Sequence, residues 1–241
     1  MKLILDIGNS RIKAGIYDNH SLIDFEIISY KDSFEKVKDL IEKYSVKQSM
    51  ISSVGRLEEK VFQFLIEKTE CTVLTSELKL PFENLYETPR TLGVDRMALA
   101  AAAIKEFPGQ NVLVMDSGTC ITYDFINSKG EYYGGAIAPG VMSRYRSLAD
   151  YTAGLPLLDK EVPIDFTGNN TQQSIHSGVV NGMVQEIEGV ISQYKNRHQK
   201  LTVVLTGGDA EFLAKQLKSS IFVRSFFLLE GMLEILNTNC K

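Results

Sequence analysis

The chain has 241 residues, 44% of them hydrophobic and 23% charged, enough to bury a sizeable core as one large domain or two ordinary ones. A formal net charge of −4 gives no general attraction to nucleic acid or to an anionic membrane, so neither is an expected partner. Cys71, Cys120 and Cys240 are odd in number, far apart and without C-x-x-C spacing, which argues against a disulfide framework and a structural zinc site.

The opening Met1-Lys2-Leu3-Ile4-Leu5 reaches Asp6 too soon for a signal-peptide core, and no 18 apolar residues run together; a cytoplasmic protein is expected. Short apolar runs at 3–5, 12–17 and 22–29, parted by Gly8-Asn9-Ser10 and Asp18-Asn19-His20, predict a three-stranded meander. Phe34, Val37, Leu40 and Ile41 have helical spacing and predict a helix over 33–44, with Ser33 as its cap. A strand at 49–54, a helix at 57–67 and a short strand at 72–75 follow. An alanine-rich helix over 95–107 is closed by Pro108-Gly109.

The second half repeats the theme. Strands are expected at 111–115, 120–126 and 132–138, then a helix at 171–194, a strand at 201–205, the turn Thr206-Gly207-Gly208 and helices at 209–218 and 228–236. The tail 237–241 reads as a frayed end. The repetition predicts two duplicated α/β lobes, 1–110 and 111–241.

Two apolar strands end in the same kind of turn, Asp6-Ile7-Gly8-Asn9-Ser10 and Asp116-Ser117-Gly118-Thr119. Either alone is explained by a tight hairpin, where Asp and Asn bond the local backbone. Their recurrence is not, because an aspartate at each strand end exceeds what a reverse turn needs. Paired carboxylates beside exposed backbone N–H groups suit a metal-bound polyphosphate. Lys13 offers a phosphate counter-charge, and Thr206-Gly207-Gly208 places glycine where a strand meets a helix. The chain has neither G-x-x-x-x-G-K-[ST] nor G-x-G-x-x-G, which removes the P-loop and dinucleotide-binding readings. Between Tyr86 and Arg96, Asp95 fits either a helix N-cap or a functional carboxylate, and Arg96 either a salt bridge or an anion-binding fork. Among the remaining polar residues, His20, His176 and His198 lack metal spacing and carry no assigned chemistry.

Six motifs in order resemble type III pantothenate kinase: Asp6-x-Gly8-Asn9-Ser10-x-x-Lys13, Tyr86-x-x-Pro89-x-x-Leu92-Gly93-x-Asp95-Arg96, Asp116-x-Gly118-Thr119-x-x-Thr122-x-Asp124, Gly134-Gly135-x-Ile137-x-Pro139-Gly140, Gly168-x-Asn170-Thr171 and Thr206-Gly207-Gly208. Leu148-x-x-x-Thr152-Ala153-x-Leu155-Pro156 adds a seventh. The resemblance implies an actin-like (ribonuclease H-like) fold, with ATP in the cleft between lobes, and a homodimer that phosphorylates pantothenate in the first step of coenzyme A synthesis. It implies ATP contacts from Asp6, Ile7, Gly8, Asn9, Ser10, Arg11, Ile12, Lys13 and Thr119, with Asp6 also near Mg²⁺. Tyr86, Gly93, Val94, Asp95, Arg96 and Thr171 would line the pantothenate site, with Asp95 as general base. Asp116 would hold a monovalent cation, K⁺ or NH₄⁺. Cys120 departs from the small residue more usual in that turn. Two alternatives stay open: another actin-like phosphotransferase or hydrolase, and a non-catalytic nucleotide-binding regulatory protein.

Overall fold

A computed structural model describes residues 1–53 and 57–240 and divides the chain into two compact units, Met1–Glu106 with Phe226–Lys241, and Phe107–Ser225. The lobe boundary expected at 110/111 therefore differs in one large respect. The C-terminal helix returns to the first unit, because its apolar face packs on the alanine-rich helix there.

In the first unit, β1 (Lys2–Ile7), β2 (Ile12–Asp18) and β3 (Ser21–Ile28) form the expected antiparallel meander. Helix α1 (Ser33–Tyr44) leads to β4 (Gln48–Ile51), which runs parallel to β1. Helix α2 (Glu59–Lys68) leads to β5 (Glu70–Val73), parallel to β4. The sheet order is β3-β2-β1-β4-β5. Central β1 buries Leu3, Ile4 and Leu5 in succession, as a strand covered on both faces must. Leu3 and Leu5 meet Val37, Leu40, Val61 and Leu65 of α1 and α2 in one core. Ser33 is not the cap of α1, because a helical turn over Tyr30–Asp32 precedes it and Ser29 accepts the Asp32 N–H. The strand expected at 49–54 ends at Ile51, and Val54 lies outside the described residues.

Helix α3 (Val94–Glu106) buries every residue from Arg96 to Ala103. The small alanines admit the last helix, and a Cβ placed on Gly231 there would stand 1.7 Å from the Ala98 carbonyl oxygen. The tail is tied rather than frayed: the Asn239 amide donates to the Lys79 carbonyl at 2.9 Å and accepts the Lys79 N–H at 3.0 Å. Lys241 lies outside the described residues.

The second unit repeats the topology. Strands β6 (Asn111–Ser117), β7 (Cys120–Ile126) and β8 (Glu131–Pro139) form an antiparallel meander, and β9 (Leu201–Thr206) and β10 (Phe222–Val223) extend it in parallel on the other side of β6. The order β8-β7-β6-β9-β10 matches that of the first sheet, as duplication predicts. Helix α4 (Val141–Asp150) escaped the sequence reading because Val141 and Tyr145 are its only buried residues. The single helix expected over 171–194 is three pieces: α5 (Thr171–His176), a widened π-type turn over Ser177–Asn181, and α6 (Gly182–Arg197). Helix α7 (Ala210–Ala214) is shorter than expected, and α8 (Phe227–Asn239) longer. Leu113, Met115, Val203 and Leu205 pack with Val141, Tyr145, Ile175, Met183 and Ile187. Asp116, Thr122 and Thr206 alternate with these core residues and so point to the opposite sheet face.

Candidate active site

Asp6 closes β1 directly opposite Lys13 in the antiparallel register, so both side chains lie on one face, with the Lys13 ammonium 3.9 Å from the Asp6 carboxylate. Ser52, just past β4, donates its hydroxyl to Asp6 Oδ1 at 3.3 Å and accepts the Ile7 N–H at 2.8 Å. Sequence reasoning missed Ser52, because only the parallel pairing of β1 with β4 brings it there. The turn is closed by the Gly8 N–H donating to the Arg11 carbonyl at 3.2 Å and by the Tyr30 hydroxyl donating to the Gly8 carbonyl. Asn9, Ser10 and Arg11 are exposed, whereas the Ile7 and Ile12 side chains are core, leaving only their backbone for a ligand.

Burial raises the Asp6 pKa; the Lys13 charge and the Ser52 hydrogen bond oppose this, and the nearby Asp95 charge adds to it. A carboxylate raised in the folded state favours the fold below its unfolded pKa of about 3.9, and that contribution is lost as pH rises through the raised value. Asp6→Asn is therefore expected to melt higher than the wild type at neutral pH. Thermal scans from pH 4 to pH 8 should show the gap widening with pH, while ATP-dependent turnover is lost. A gap that stayed constant with pH would remove the electrostatic cause.

Asp95 is not the N-cap that one reading allowed, because α3 begins at Val94 and places Asp95 in its second position. Its Oδ1 accepts the Arg96 backbone N–H at 2.8 Å, and the side chain is exposed. A Cβ on Gly93 would lie 2.4 Å from that oxygen, so the carboxylate folds back over space that only glycine leaves. Gly93→Ala is expected to turn the Asp95 carboxylate to another rotamer, lowering kcat by about tenfold with a melting change within about 2 °C. Steady-state kinetics beside a thermal scan check this, and an unchanged kcat would refute it. Arg96 is buried, with its guanidinium 5.6 Å from the Tyr86 ring centroid, a cation–π distance. Tyr86 is anchored by its N–H to the Asn84 side chain at 3.1 Å.

In the second unit, Asp116 ends β6 in register with Thr206 and Thr122, a row of three oxygen-bearing side chains across the sheet. Gly207 has φ +97°, and a Cβ there would lie 2.4 Å from both Asp116 Oδ1 and the Ser117 carbonyl oxygen. The Asp209 N–H donates to that carbonyl at 3.0 Å. Thr119 is held by its carbonyl, which accepts the Gly140 N–H at 3.0 Å and the Ser143 hydroxyl, while neighbouring Cys120 is exposed. The Thr122 hydroxyl is buried without a hydrogen-bond partner beside the Asp116 carboxylate, and this donor set fits an oxygen-coordinated cation. Thr171 is the first residue of α5, which Asn170 caps through the Gln173 N–H at 3.0 Å. It opens on a cavity of about 470 Å³ lined by Leu148, Leu155, Thr171, Ser174, Ile175 and Gly178.

Each unit thus ends its first strand in an aspartate and a glycine turn. The whole fold is shared with solved structures, among them a Baf family protein from Campylobacter jejuni (22% identical, TM-score 0.63, 98% of each chain covered) and the ROK hexokinase from Thermus thermophilus (13% identical, TM-score 0.52, 97% of each covered). The protein therefore has the actin-like fold. At the level of sequence, the family model of type III pantothenate kinase matches residues 2–193, and the type III pantothenate kinase of Flavobacterium johnsoniae is 46% identical over 233 residues, 96% of each chain. The chain belongs to the type III pantothenate kinase family.

Proposed function

We propose that the protein transfers the γ-phosphoryl group of ATP to the primary hydroxyl of pantothenate, giving 4′-phosphopantothenate and ADP for coenzyme A synthesis. The observation that carries this is Asp95: an exposed carboxylate on the first turn of a buried helix, one oxygen committed to the Arg96 N–H and the other free for a hydroxyl proton. The acceptor oxygen bonds to phosphorus as its proton passes to Asp95, and the bond from phosphorus to the ADP oxygen breaks. Asp6 would hold the Mg²⁺ that accompanies ATP, which supplies neutralisation of phosphate charge. Ile7 through Ile12, Lys13 and Thr119 would contact the nucleotide.

Tyr86, Gly93, Val94 and Arg96 would hold the acceptor, Arg96 by pairing with its carboxylate. Thr171 would also contact the acceptor, and Leu148, Leu155 and Ile175 in the cavity beside Thr171 offer an apolar wall suited to the two geminal methyl groups of pantothenate. Asp116 with the Thr122 hydroxyl would take K⁺ or NH₄⁺. A homodimer in the cytoplasm is the proposed form. It is supported by the exposed apolar side chains Tyr151, Leu157, Ile164 and Phe166 in the second unit, and among the described residues no helix is long and apolar enough to cross a membrane.

The test is ADP release from ATP and Mg²⁺ with and without pantothenate, in K⁺ and then in Na⁺ buffer. Turnover that needs both pantothenate and K⁺ is expected. Release indifferent to pantothenate would move the assignment to another actin-like hydrolase, and no release in any buffer to a binding protein.

A further inference from the structure

The segment 151–170 has no helix or strand, and connections of that length inside a compact unit are usually functional. It is not a free loop. Leu155 and Leu158 pack against the core, and two adjacent charged side chains further on, Lys160 and Glu161, reach in different directions to two separate elements.

The Lys160 ammonium pairs with Asp209 Oδ1, with its ammonium 5.4 Å from the Phe212 ring centroid. Asp209 is 8% exposed, and its own N–H holds the Ser117 carbonyl, so this pair is joined to the turn that ends β6. On the other side, the Glu161 carboxylate lies 3.7 Å from His176 Nε2. His176 is the last residue of α5, and its Nδ1 is 2.8 Å from the buried Tyr145 hydroxyl. A dipeptide therefore spans from the Gly207–Asp209 turn to the helix that begins at Thr171.

We propose that Lys160-Glu161 is a strap that holds the glycine turn and α5 in one arrangement, making Lys160 and Glu161 positioning residues for both substrates. This rests on the reading above, in which Thr119 contacts ATP, Asp116 holds the monovalent cation and Thr171 serves the acceptor; the Gly207 turn abuts Asp116 and Ser117. The physical basis is the buried Asp209 carboxylate. Without Lys160 it has lost the ammonium that balances its desolvation, and it moves towards water, taking the turn and the released strap with it.

Hydrogen exchange without substrates reads the strap directly. Lys160→Met keeps the apolar stem over Phe212 and removes the charge. It is expected to speed amide exchange about tenfold in 206–212 and in 171–177 together, and Lys160→Arg is expected to restore both. In kinetics, Lys160→Met should raise KM for ATP and for pantothenate about three- to tenfold with kcat within about twofold. Exchange that rises only in 206–212, with 171–177 as in the wild type, would overturn the proposal. Glu161→Gln, at a side chain 71% exposed, gives the converse test should Lys160→Met not fold: faster exchange in 206–212 supports the strap, and change confined to 171–177 overturns it. A wrong acceptor assignment would show separately, as wild-type protein whose ADP release ignores pantothenate.

Discussion

Asp95→Asn is expected to lower kcat by about 10²–10⁴-fold, the usual worth of general-base help, while ATP affinity and melting temperature stay near wild type. That range corresponds to roughly 3–5 kcal/mol of barrier. The carboxamide is nearly isosteric and its oxygen still accepts the Arg96 N–H, so the first turn of α3 is kept. What it cannot do is take a proton. A primary alcohol is a weak nucleophile, and without the carboxylate its proton has no positioned acceptor as the new bond forms. Single-turnover measurement with saturating ATP and pantothenate separates chemistry from binding. A chemical step within about threefold of wild type would remove Asp95 from the role of base.

Gly231→Ala is expected to destabilise the first unit strongly. A Cβ at this position would lie 1.7 Å from the Ala98 carbonyl oxygen, 2.5 Å from its carbon and 3.2 Å from the Ala102 nitrogen. All three are helix backbone atoms, so no rotamer relieves the contact and α8 must move off α3. Alanine gains about 1 kcal/mol of helix propensity over glycine. Overpacking costs typically about 1–3 kcal/mol and more against rigid backbone, so the clash wins. At about 2–4 °C per kcal/mol for a chain of this size, the melting temperature should fall by roughly 4–10 °C. Gly189→Ala in α6 is the matched control, since a Cβ there meets nothing within 4 Å and propensity alone should raise stability by up to about 1 kcal/mol. Equal melting shifts in the two variants would refute the close crossing. Because α3 also carries Asp95, a second reading of Gly231→Ala is a loss of kcat at temperatures where it remains folded.

The duplicated meanders were legible because each strand is an apolar run bounded by its own Gly, Asn or Asp turn, and antiparallel neighbours pair within a few residues. The Asp6–Lys13 juxtaposition has the same local origin: a tight hairpin places them opposite each other. Helix α3 was legible from its alanines, to within one residue at its start, and that one residue decides whether Asp95 caps the helix or presents a carboxylate from its first turn. Helix α4 was not legible, since two inward residues make too faint a periodicity. Nor was the break at Ser177–Asn181, because a π-type turn keeps a helical pattern while shifting its phase.

By itself, then, the sequence determined the strands, their turns and the residue types that chemistry needs, since these depend on neighbours along the chain. It also carried the family, through motifs spread from Asp6 to Gly208. The tertiary structure alone decided what stands beside those residues: Ser52 against Asp6 across 46 positions, Thr206 and Thr122 flanking Asp116, Gly231 against Ala98, and Lys160 and Glu161 on Asp209 and His176. The physical reason is that such pairs are set by strand register and helix crossing. Both depend on the packing of whole elements, and neither leaves a period or a spacing in the local sequence.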